Sequence, residues 1–174
     1  MNNLLYKLIR KLLFKLIAKK KKEYDRFLSV PDYIIDRWER AKMMGFGEGS
    51  SVYDSCLVLG NVSVGKNTWI GPYTVLDGSG GGLIIGDNCQ IGPGVKIYSH
   101  DTTKKVIDSN AKTEKSSIII NNNVAIGSNT VVSMGVHIGE CVIIAPNSWV
   151  VKDIPPYSKA FGSPARVSEK IEKI

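Results

Sequence analysis

Aliphatic side chains recur at every sixth position along most of the chain, from about Val52 to Val150. The interval is interrupted twice, by three extra residues before Ile85 and by a longer stretch before Ile120. The positions that keep it are Val52, Val58, Val64, Ile70, Leu76, Ile85, Ile91, Ile97, Ile120, Ile126, Val132, Ile138, Ile144 and Val150. A fixed repeat of this kind determines the fold more strongly than local propensity does.

The repeat predicts short strands joined by corners. The residue two before each aliphatic position is also small or aliphatic, and two inward positions around one outward residue are the alternation of a strand. Gly, Asn and Asp fall at the corners, where a positive φ is tolerated. Three strands would close a coil of about 18 residues, stacked about 4.8 Å from the next coil. We therefore predict an all-β solenoid with triangular coils, because a helix needs a period near 3.6 and a hairpin needs longer runs.

Residues 1–22 predict a basic amphipathic helix. Leucine and isoleucine recur at helical spacing from Leu4 to Ile17, and eight basic residues with no acidic one accompany them. Charge interrupts the apolar run too often for a membrane-spanning helix or a signal peptide. The helix could lie on an anionic membrane surface, or it could pack on the solenoid or on a partner subunit. The sequence pattern is the same for both.

The formal net charge of +7 belongs to this one segment. The remaining 15 basic and 16 acidic residues leave the rest of the chain at −1. A general nucleic-acid surface is therefore not indicated. The cysteines, of which Cys56 and Cys89 fall at inward positions, have neither metal-site nor disulfide spacing, and this suits a reducing compartment.

Two further segments flank the solenoid, which we assign to residues 52–153. Residues 23–51 form a connector with a short helical pattern around Tyr33 to Met44, and we expect it to cap the open first coil. Residues 154–174 contain three prolines that bar regular strand pairing, so this segment should fold back on the solenoid. Its final residues, Val167 to Ile174, predict a short C-terminal helix.

The two interruptions of the repeat hold the candidate functional residues. The first, Asp77 to Gly82, reads DGSGGG and indicates a corner where the backbone bends freely or something approaches closely, with Asp77 as a candidate substrate contact. The second expels residues 98–117 as a long polar loop, and such loops on rigid scaffolds often carry function. It opens with His100 and Asp101. The other histidine, His137, points outward from a regular face and is assigned to the surface.

Two cations flank the proline-containing segment. Arg166 could hold a phosphate group through forked hydrogen bonds, and Lys152 could do so as a point charge. Both could equally be ordinary surface charges.

The repeats IGPYTV, IGDNCQ, IGPGVK, IGSNTV and IGECVI, the SHD loop and the ending VVKDIPPYSKAFGSPARV resemble the hexapeptide-repeat acyltransferases over about residues 50–168. The nearest resemblance is to the CoA-dependent sugar O-acetyltransferases of the galactoside, maltose and polysaccharide-modifying type. It implies a left-handed parallel β-helix that forms a homotrimer, with active sites between neighbouring subunits. It also implies acetyl-CoA as a co-substrate and no metal.

The resemblance also implies roles for individual residues. His100 matches the catalytic histidine, and Arg166 would lie near the nucleotide phosphates. The positions matching the coenzyme A contacts are Ala125, Ser128, Ala145, Pro146 and Lys152. Ala125 replaces a tryptophan common at that place, so any stacking contact from it is lost. Asp77 falls roughly where relatives carry an acceptor-binding Asn or Asp.

A histidine with an ordinary pKa near 6.5 can take the proton of a sugar hydroxyl as that hydroxyl attacks a thioester. Asp101 or a backbone carbonyl could orient the imidazole. No cysteine or serine is placed as a nucleophile, so we expect direct transfer. The predicted function is acetyl transfer to a sugar of a surface polysaccharide or of its lipid-linked precursor. We expect a cytoplasmic enzyme, on the inner face of the membrane if the N-terminal helix binds there.

Three alternative functions are possible for a solenoid of this kind. An amino-acid or antibiotic acetyltransferase would use the same scaffold and the same His100. A non-catalytic, membrane-attached scaffold would instead make the lysine-rich helix the functional part. A metal-dependent carbonic anhydrase needs three histidine ligands, and the chain has two histidines, which makes it a poor candidate.

Overall fold

The computed structural model describes residues 3–171. Its helices are α1 (Asn3–Tyr24), α2 (Val30–Ile34), α3 (Arg37–Met43) and α4 (Lys104–Ile107). Its strands are β1 (Ser51–Val52), β2 (Leu57–Val64), β3 (Trp69–Ile70), β4 (Val75–Ile85), β5 (Gln90–Ile91), β6 (Lys96–Tyr98), β7 (His100–Asp101), β8 (Glu114–Lys115), β9 (Ile118–Ile120), β10 (Ala125–Ile126), β11 (Val131–Val132), β12 (His137–Ile138), β13 (Ile143–Ile144), β14 (Trp149–Val150), β15 (Ser158–Gly162) and β16 (Ala165–Lys170).

Three columns of parallel strands form the faces of a triangular β-helix. Column one runs β1-β3-β5-β10-β13-β15. The long strands β2 and β4 each cross from column two into column three. Column two contains their first halves and then β6, β11 and β14. Column three contains their second halves and then β9 and β12. Partners in regular neighbouring coils are 18 residues apart, as Ser51 and Trp69 are. The predicted parallel β-helix with triangular coils is confirmed.

The repeat positions fill the interior of the coils. Ile70, Leu76 and Ile97 are completely buried, and almost every other member of the repeat belongs to the same buried cluster. Five asparagines at the corners have φ angles between 53° and 59°, which is the left-handed conformation that asparagine tolerates best after glycine. Those residues are Asn67, Asn88, Asn123, Asn129 and Asn147.

The segment before the first coil forms two short helices where the sequence predicted one helical stretch. The break falls at Asp36, whose side chain caps α3 by accepting hydrogen bonds from the backbone N–H groups of Trp38 and Glu39. Ala41 and Phe46 join the buried cluster of the solenoid, and the N–H of Gly47 donates to the carbonyl of Val64. α3 and the turn after it therefore lie against the first coil.

The end of the described chain differs from the prediction. Ala165–Lys170 is a strand, β16, that pairs antiparallel with β15, and Phe161 faces Arg166 across the pair. The predicted C-terminal helix is therefore wrong for these residues. β15 is the last parallel strand of column one, and its free edge leaves backbone groups that another strand can satisfy. The pairing of these backbone groups outweighs the weak helix preference of the six residues in β16. Residues 172–174, the rest of the predicted helix, lie outside the described residues.

α1 makes little contact with the rest of the protein, and none of its side chains is buried. Among residues 3–171, no helix combines the length and the apolar character needed to cross a membrane.

Neighbouring isoleucines in β13 offer a test of the packing. Ile144 is 1% exposed and Ile143 is 44% exposed. We expect Ile144→Ala to lower the free energy of unfolding by about 2–5 kcal/mol, because the missing atoms leave a cavity between stacked coils. Ile143→Ala removes the same atoms from the outer surface and should lower it by about 1 kcal/mol or less. Equilibrium unfolding in urea measures both. Equal losses would contradict the placement of the core.

Candidate active site

Both interruptions of the repeat lie at the corner between columns two and three, in consecutive coils. β4 passes through this corner with the DGSGGG sequence, and one coil later the chain leaves the solenoid after Tyr98 and returns at Ile118. Asp77 and Tyr98 are register partners in β4 and β6. The expelled loop therefore begins directly beside the glycine-rich corner, and its first residues meet those of the insertion.

His100 is held by Asp77 at this corner. The Nδ1 atom of His100 lies 2.8 Å from Oδ2 of Asp77. Asp77 is 1% exposed, whereas the His100 side chain is 35% exposed. In a neutral imidazole one nitrogen donates and the other accepts. A carboxylate partner at Nδ1 selects the tautomer with its proton there, and this leaves the Nε2 lone pair available as a base.

The other carboxylate oxygen of Asp77 is fixed by Ser79. The backbone N–H of Ser79 donates to Oδ1 at 2.8 Å, and the Ser79 hydroxyl donates to the same atom at 2.5 Å. Both oxygens of the buried carboxylate thus have partners, as a buried charge requires. The imidazole is therefore held by two side chains of the insertion in the preceding coil, Asp77 directly and Ser79 through Asp77.

Gly80 shows why the insertion is rich in glycine. Its N–H donates to the Ser99 hydroxyl at 2.8 Å. A Cβ atom at Gly80 would lie 2.6 Å from Cβ of His100 and would collide with the Ser99 carbonyl. Only glycine lets the backbone of one coil approach the histidine of the next so closely. The sequence indicated that something approaches the backbone closely at this corner. In the structure it is the protein's own loop, at Ser99 and His100.

The structure corrects two assignments. Asp101 does not orient the imidazole, because its carboxylate accepts hydrogen bonds from the N–H and the hydroxyl of Thr103, at 2.7 and 2.5 Å. These bonds also hold the pKa of Asp101 below its ordinary value. Asp77, predicted as a substrate contact, is buried, and its two oxygens are engaged with His100 and Ser79. Its carboxylate is the one that contacts the imidazole in this structure.

A surface cleft of about 340 Å³ opens beside His100. Its lining comes from three places on the same edge of the solenoid: the end of β6, the start of the loop and the corner after β11. The residues are Tyr98, His100, Asp101, Ser133 and Met134. A cleft of this size beside an oriented base is suited to a small acceptor group.

Four of the predicted coenzyme A residues lie at the corner between columns one and two. Ala125 is in β10, and Ser128 follows it at the corner. One coil later Ala145 and Pro146 occupy the same corner, where the N–H of Asn147 donates to the Ser128 carbonyl at 2.9 Å. The structure therefore stacks these residues on one another along the helix axis.

The two predicted phosphate-binding cations lie apart. Arg166 is exposed in β16, beyond the coil that carries Ala145, whose N–H donates to the Ala160 carbonyl of β15. Lys152 is exposed at the corner between columns two and three, two coils beyond the corner of His100. The predicted coenzyme residues thus occupy two edges of the solenoid and its C-terminal hairpin.

The described residues outside this corner offer few other candidates for catalysis or metal binding. His137 is exposed, as predicted, and its N–H donates to Asp153. Among residues 3–171 no cluster of three His, Cys, Asp or Glu side chains could hold a metal ion. Burial raises the pKa values of the Cys56 and Cys89 thiols, and this disfavours their reactive thiolate forms.

Sequence reasoning missed Ser79 and Ser99, and it did not foresee the contact of Asp77 with His100. The strand register, which follows from the repeat, could have revealed that Asp77 lies near His100. The regular coil of 18 residues plus the insertion of three places Asp77 opposite Tyr98, 21 positions later. Two residues further along the chain stands His100.

Comparison with known proteins supports the predicted resemblance, although no protein-family model matches the chain. The chain is 36% identical over 120 residues to the galactoside O-acetyltransferase of Escherichia coli strain K12. This match covers 64% of the chain and 55% of the relative, so the chain spans about half the length of this curated relative.

Solved structures show the same fold at lower identity. AntD, an N-acyltransferase of Bacillus cereus solved as a point mutant with dTDP and coenzyme A, has a TM-score of 0.68 at 22% identity over 74% of this chain and 73% of its own. The hexapeptide-repeat acetyltransferase VCA0836 of Vibrio cholerae, also solved with acetyl coenzyme A, has a TM-score of 0.60 at 23% identity over 95% of this chain and 93% of its own. The chain thus has the left-handed β-helix of the hexapeptide-repeat acetyltransferases and resembles the galactoside O-acetyltransferases in sequence.

Proposed function

We propose that the protein is an acetyl-CoA-dependent O-acetyltransferase that acts on a sugar hydroxyl, with His100 as the general base. The observation that carries the proposal is the contact of 2.8 Å between Nδ1 of His100 and the buried carboxylate of Asp77 beside an open cleft. The insertion in one coil holds a buried carboxylate against the histidine of the next coil, an arrangement suited to a general base. A base held by a buried partner beside an open cleft is the geometry that general acid–base catalysis requires.

The comparisons support acetyl transfer as the reaction class. The Escherichia coli relative is named for acetyl transfer to a galactoside oxygen. Coenzyme A and acetyl coenzyme A are bound by structural neighbours of the same fold. Because the chain spans about half of that relative, we do not transfer its specific acceptor. We propose only a sugar hydroxyl, which belongs to a surface polysaccharide or to a lipid-linked precursor of a surface polysaccharide.

The proposed reaction is a direct transfer. Nε2 of His100 removes the proton of the acceptor hydroxyl as its oxygen attacks the thioester carbonyl carbon. The tetrahedral intermediate then collapses, the carbon–sulfur bond breaks, and the thiolate of coenzyme A leaves and takes a proton from the imidazolium. Asp77 stabilises the imidazolium that forms between these steps and keeps the ring in place. A positioned base of this kind contributes about 10²–10⁴-fold.

Two of the protein's three thiols are poorly suited to forming a covalent acetyl-enzyme. Cys56 donates a hydrogen bond to the Gly71 carbonyl and Cys89 is fully buried, and burial raises the pKa of both thiols. Neither lines the cleft beside His100. We therefore assign the transfer to a ternary complex of the enzyme, acetyl-CoA and acceptor.

Acetyl-CoA would lie along the stacked corner formed by Ser128, Ala145 and Pro146, and because this corner is on a different edge from His100, a neighbouring subunit would bring it to the cleft. The backbone bond between Asn147 and Ser128 keeps this edge regular, and the exposed guanidinium of Arg166 near its end suits the nucleotide phosphates. Ala125 offers no aromatic ring to stack on, and Lys152 on the His100 edge offers a second charge.

A homotrimer would complete the site. Ile84 and Ile119 are register partners on the outer side of column three and are 53% and 37% exposed. This apolar strip adjoins the corner that carries His100. A neighbouring subunit that covered the strip would close the cleft with its own surface.

Replacing the base tests the central residue. We expect His100→Gln to lower kcat for acetyl-CoA turnover with a responsive sugar by about 10²-fold or more, while coenzyme A binding is kept. Free thiol released against a panel of sugars, nucleotide sugars and amine acceptors measures it. His137→Gln is the matched control and should behave as wild type. Turnover that survives His100→Gln, or a wild-type protein that binds no coenzyme A, would contradict the proposal.

Replacing the orienting carboxylate separates Asp77 from Asp101. Asp77→Asn keeps the shape but can present its amide N–H₂ to Nδ1, and this favours the other tautomer. We expect kcat to fall by about 10–10³-fold with little change in KM, and the ¹⁵N resonances of the His100 ring to show loss of the Nδ1–H form. Asp101→Asn should leave the ring resonances near wild type, because its carboxylate is bonded to Thr103 and not to the imidazole. Identical ring resonances in wild type and Asp77→Asn would rule out the orienting role.

Charge on the apolar strip tests the assembly. We expect Ile84→Glu to convert a trimer to monomers and to lower turnover, because it buries an unpaired carboxylate between subunits. Sedimentation velocity measures the mass, and Ile143→Glu on column one is the control. A wild-type protein that sediments as a monomer would contradict the trimer.

A further inference from the structure

The helix α1 carries an apolar stripe that the described protein leaves largely exposed. At roughly 100° per residue, five side chains fall on one side of the helix. They are Leu5, Leu8, Ile9, Leu12 and Leu16. The first four are 55–61% exposed, and no side chain of α1 is buried. A stripe of this width ordinarily faces an apolar partner.

The opposite side of α1 is strongly basic. Lys7, Arg10, Lys11 and Lys21 lie there, and Lys15 and Lys22 lie along the border between this side and the stripe. Residues 1–22 hold eight basic residues and no acidic one. A helix with a leucine stripe and a lysine side is suited to the boundary between lipid headgroups and acyl chains, where the stripe enters the apolar layer and the cations meet the phosphates.

Charge distinguishes a lipid surface from a second copy of this chain. The remainder of one copy has a formal charge of −1, so its net charge gives little long-range attraction to eight cations. A bundle of several α1 helices would bring these cations close to one another, which opposes packing. An anionic bilayer presents continuous negative charge, and attraction to it accumulates over every lysine and arginine near the surface.

The helix is joined to the folded part of the protein at its C-terminal end. The Lys20 ammonium lies 3.4 Å from the Asp36 carboxylate, and the rings of Tyr24 and Trp38 are 6.2 Å apart. Binding through α1 would therefore hold the whole cap and solenoid at the surface. We propose that α1 attaches the protein to an anionic lipid bilayer, with its leucine stripe inserted and its lysines at the headgroups.

This attachment does not depend on the proposed acetyl transfer. If both hold, the cleft beside His100 would work close to acceptors that are themselves lipid-linked. Failure of one leaves the other intact, because vesicle binding and thiol release are measured separately.

Vesicle sedimentation tests the proposal on the full chain. We expect binding to vesicles of phosphatidylcholine mixed with phosphatidylglycerol, and much weaker binding to phosphatidylcholine alone. Lys11→Gln with Lys15→Gln removes two charges and should weaken binding about 30-fold, and added salt should weaken it further. Leu8→Gln with Leu12→Gln keeps the net charge and should weaken binding at least as much, because insertion is lost.

Matched controls keep the test decisive. Lys66→Gln with Lys170→Gln removes two charges from the solenoid and hairpin, and it should weaken binding little. Sedimentation velocity and thiol release show whether each variant still folds. Absence of vesicle binding by the wild type would overturn the proposal. So would leucine variants that bind vesicles as wild type but lose their assembly mass, since α1 would then be a contact between copies.

Discussion

The structure depends on burying one aliphatic side chain at every sixth position inside a narrow triangular coil. Ile70, Leu76 and Ile97 are completely enclosed, and each packs on the equivalent residue of the next coil. The parallel backbone bonds and the left-handed corners follow from this stacking. Because the coils repeat every 18 residues, any residue at a corner lies beside residues at the same corner in adjacent coils. The candidate site exists because two departures from the repeat fall on one corner.

That corner joins a glycine-rich turn to an expelled loop. The insertion supplies Asp77, Ser79 and a glycine on which His100 can pack, and the loop supplies the histidine. The rigid solenoid holds the two in register without any flexible element between them. An imidazole fixed through Nδ1 is set up for proton transfer at Nε2, and this links the geometry of the coil to the proposed acetyl transfer.

The fold could be predicted from the sequence because the six-residue interval is long and regular. The C-terminal strand β16 could not be predicted, because residues Ala165–Lys170 have no strong local preference. Their conformation is decided by pairing with the free edge of β15. His100 was found by its position at the mouth of the loop. Its partner was missed because nearness in sequence favoured Asp101, whereas nearness in space is set by the coil register. The carboxylate of Asp101 turns back to Thr103, which no spacing rule indicated.

The most direct test of the account is a double-mutant cycle of His100→Gln and Asp77→Asn, measured as kcat for acetyl-CoA turnover. If Asp77 acts only through the imidazole, the account predicts strong non-additivity. Asp77→Asn would slow the wild type by about 10–10³-fold but would have almost no effect once His100 is glutamine. Additive effects of the two substitutions would contradict the account, because Asp77 would then contribute to catalysis by some route other than holding the histidine.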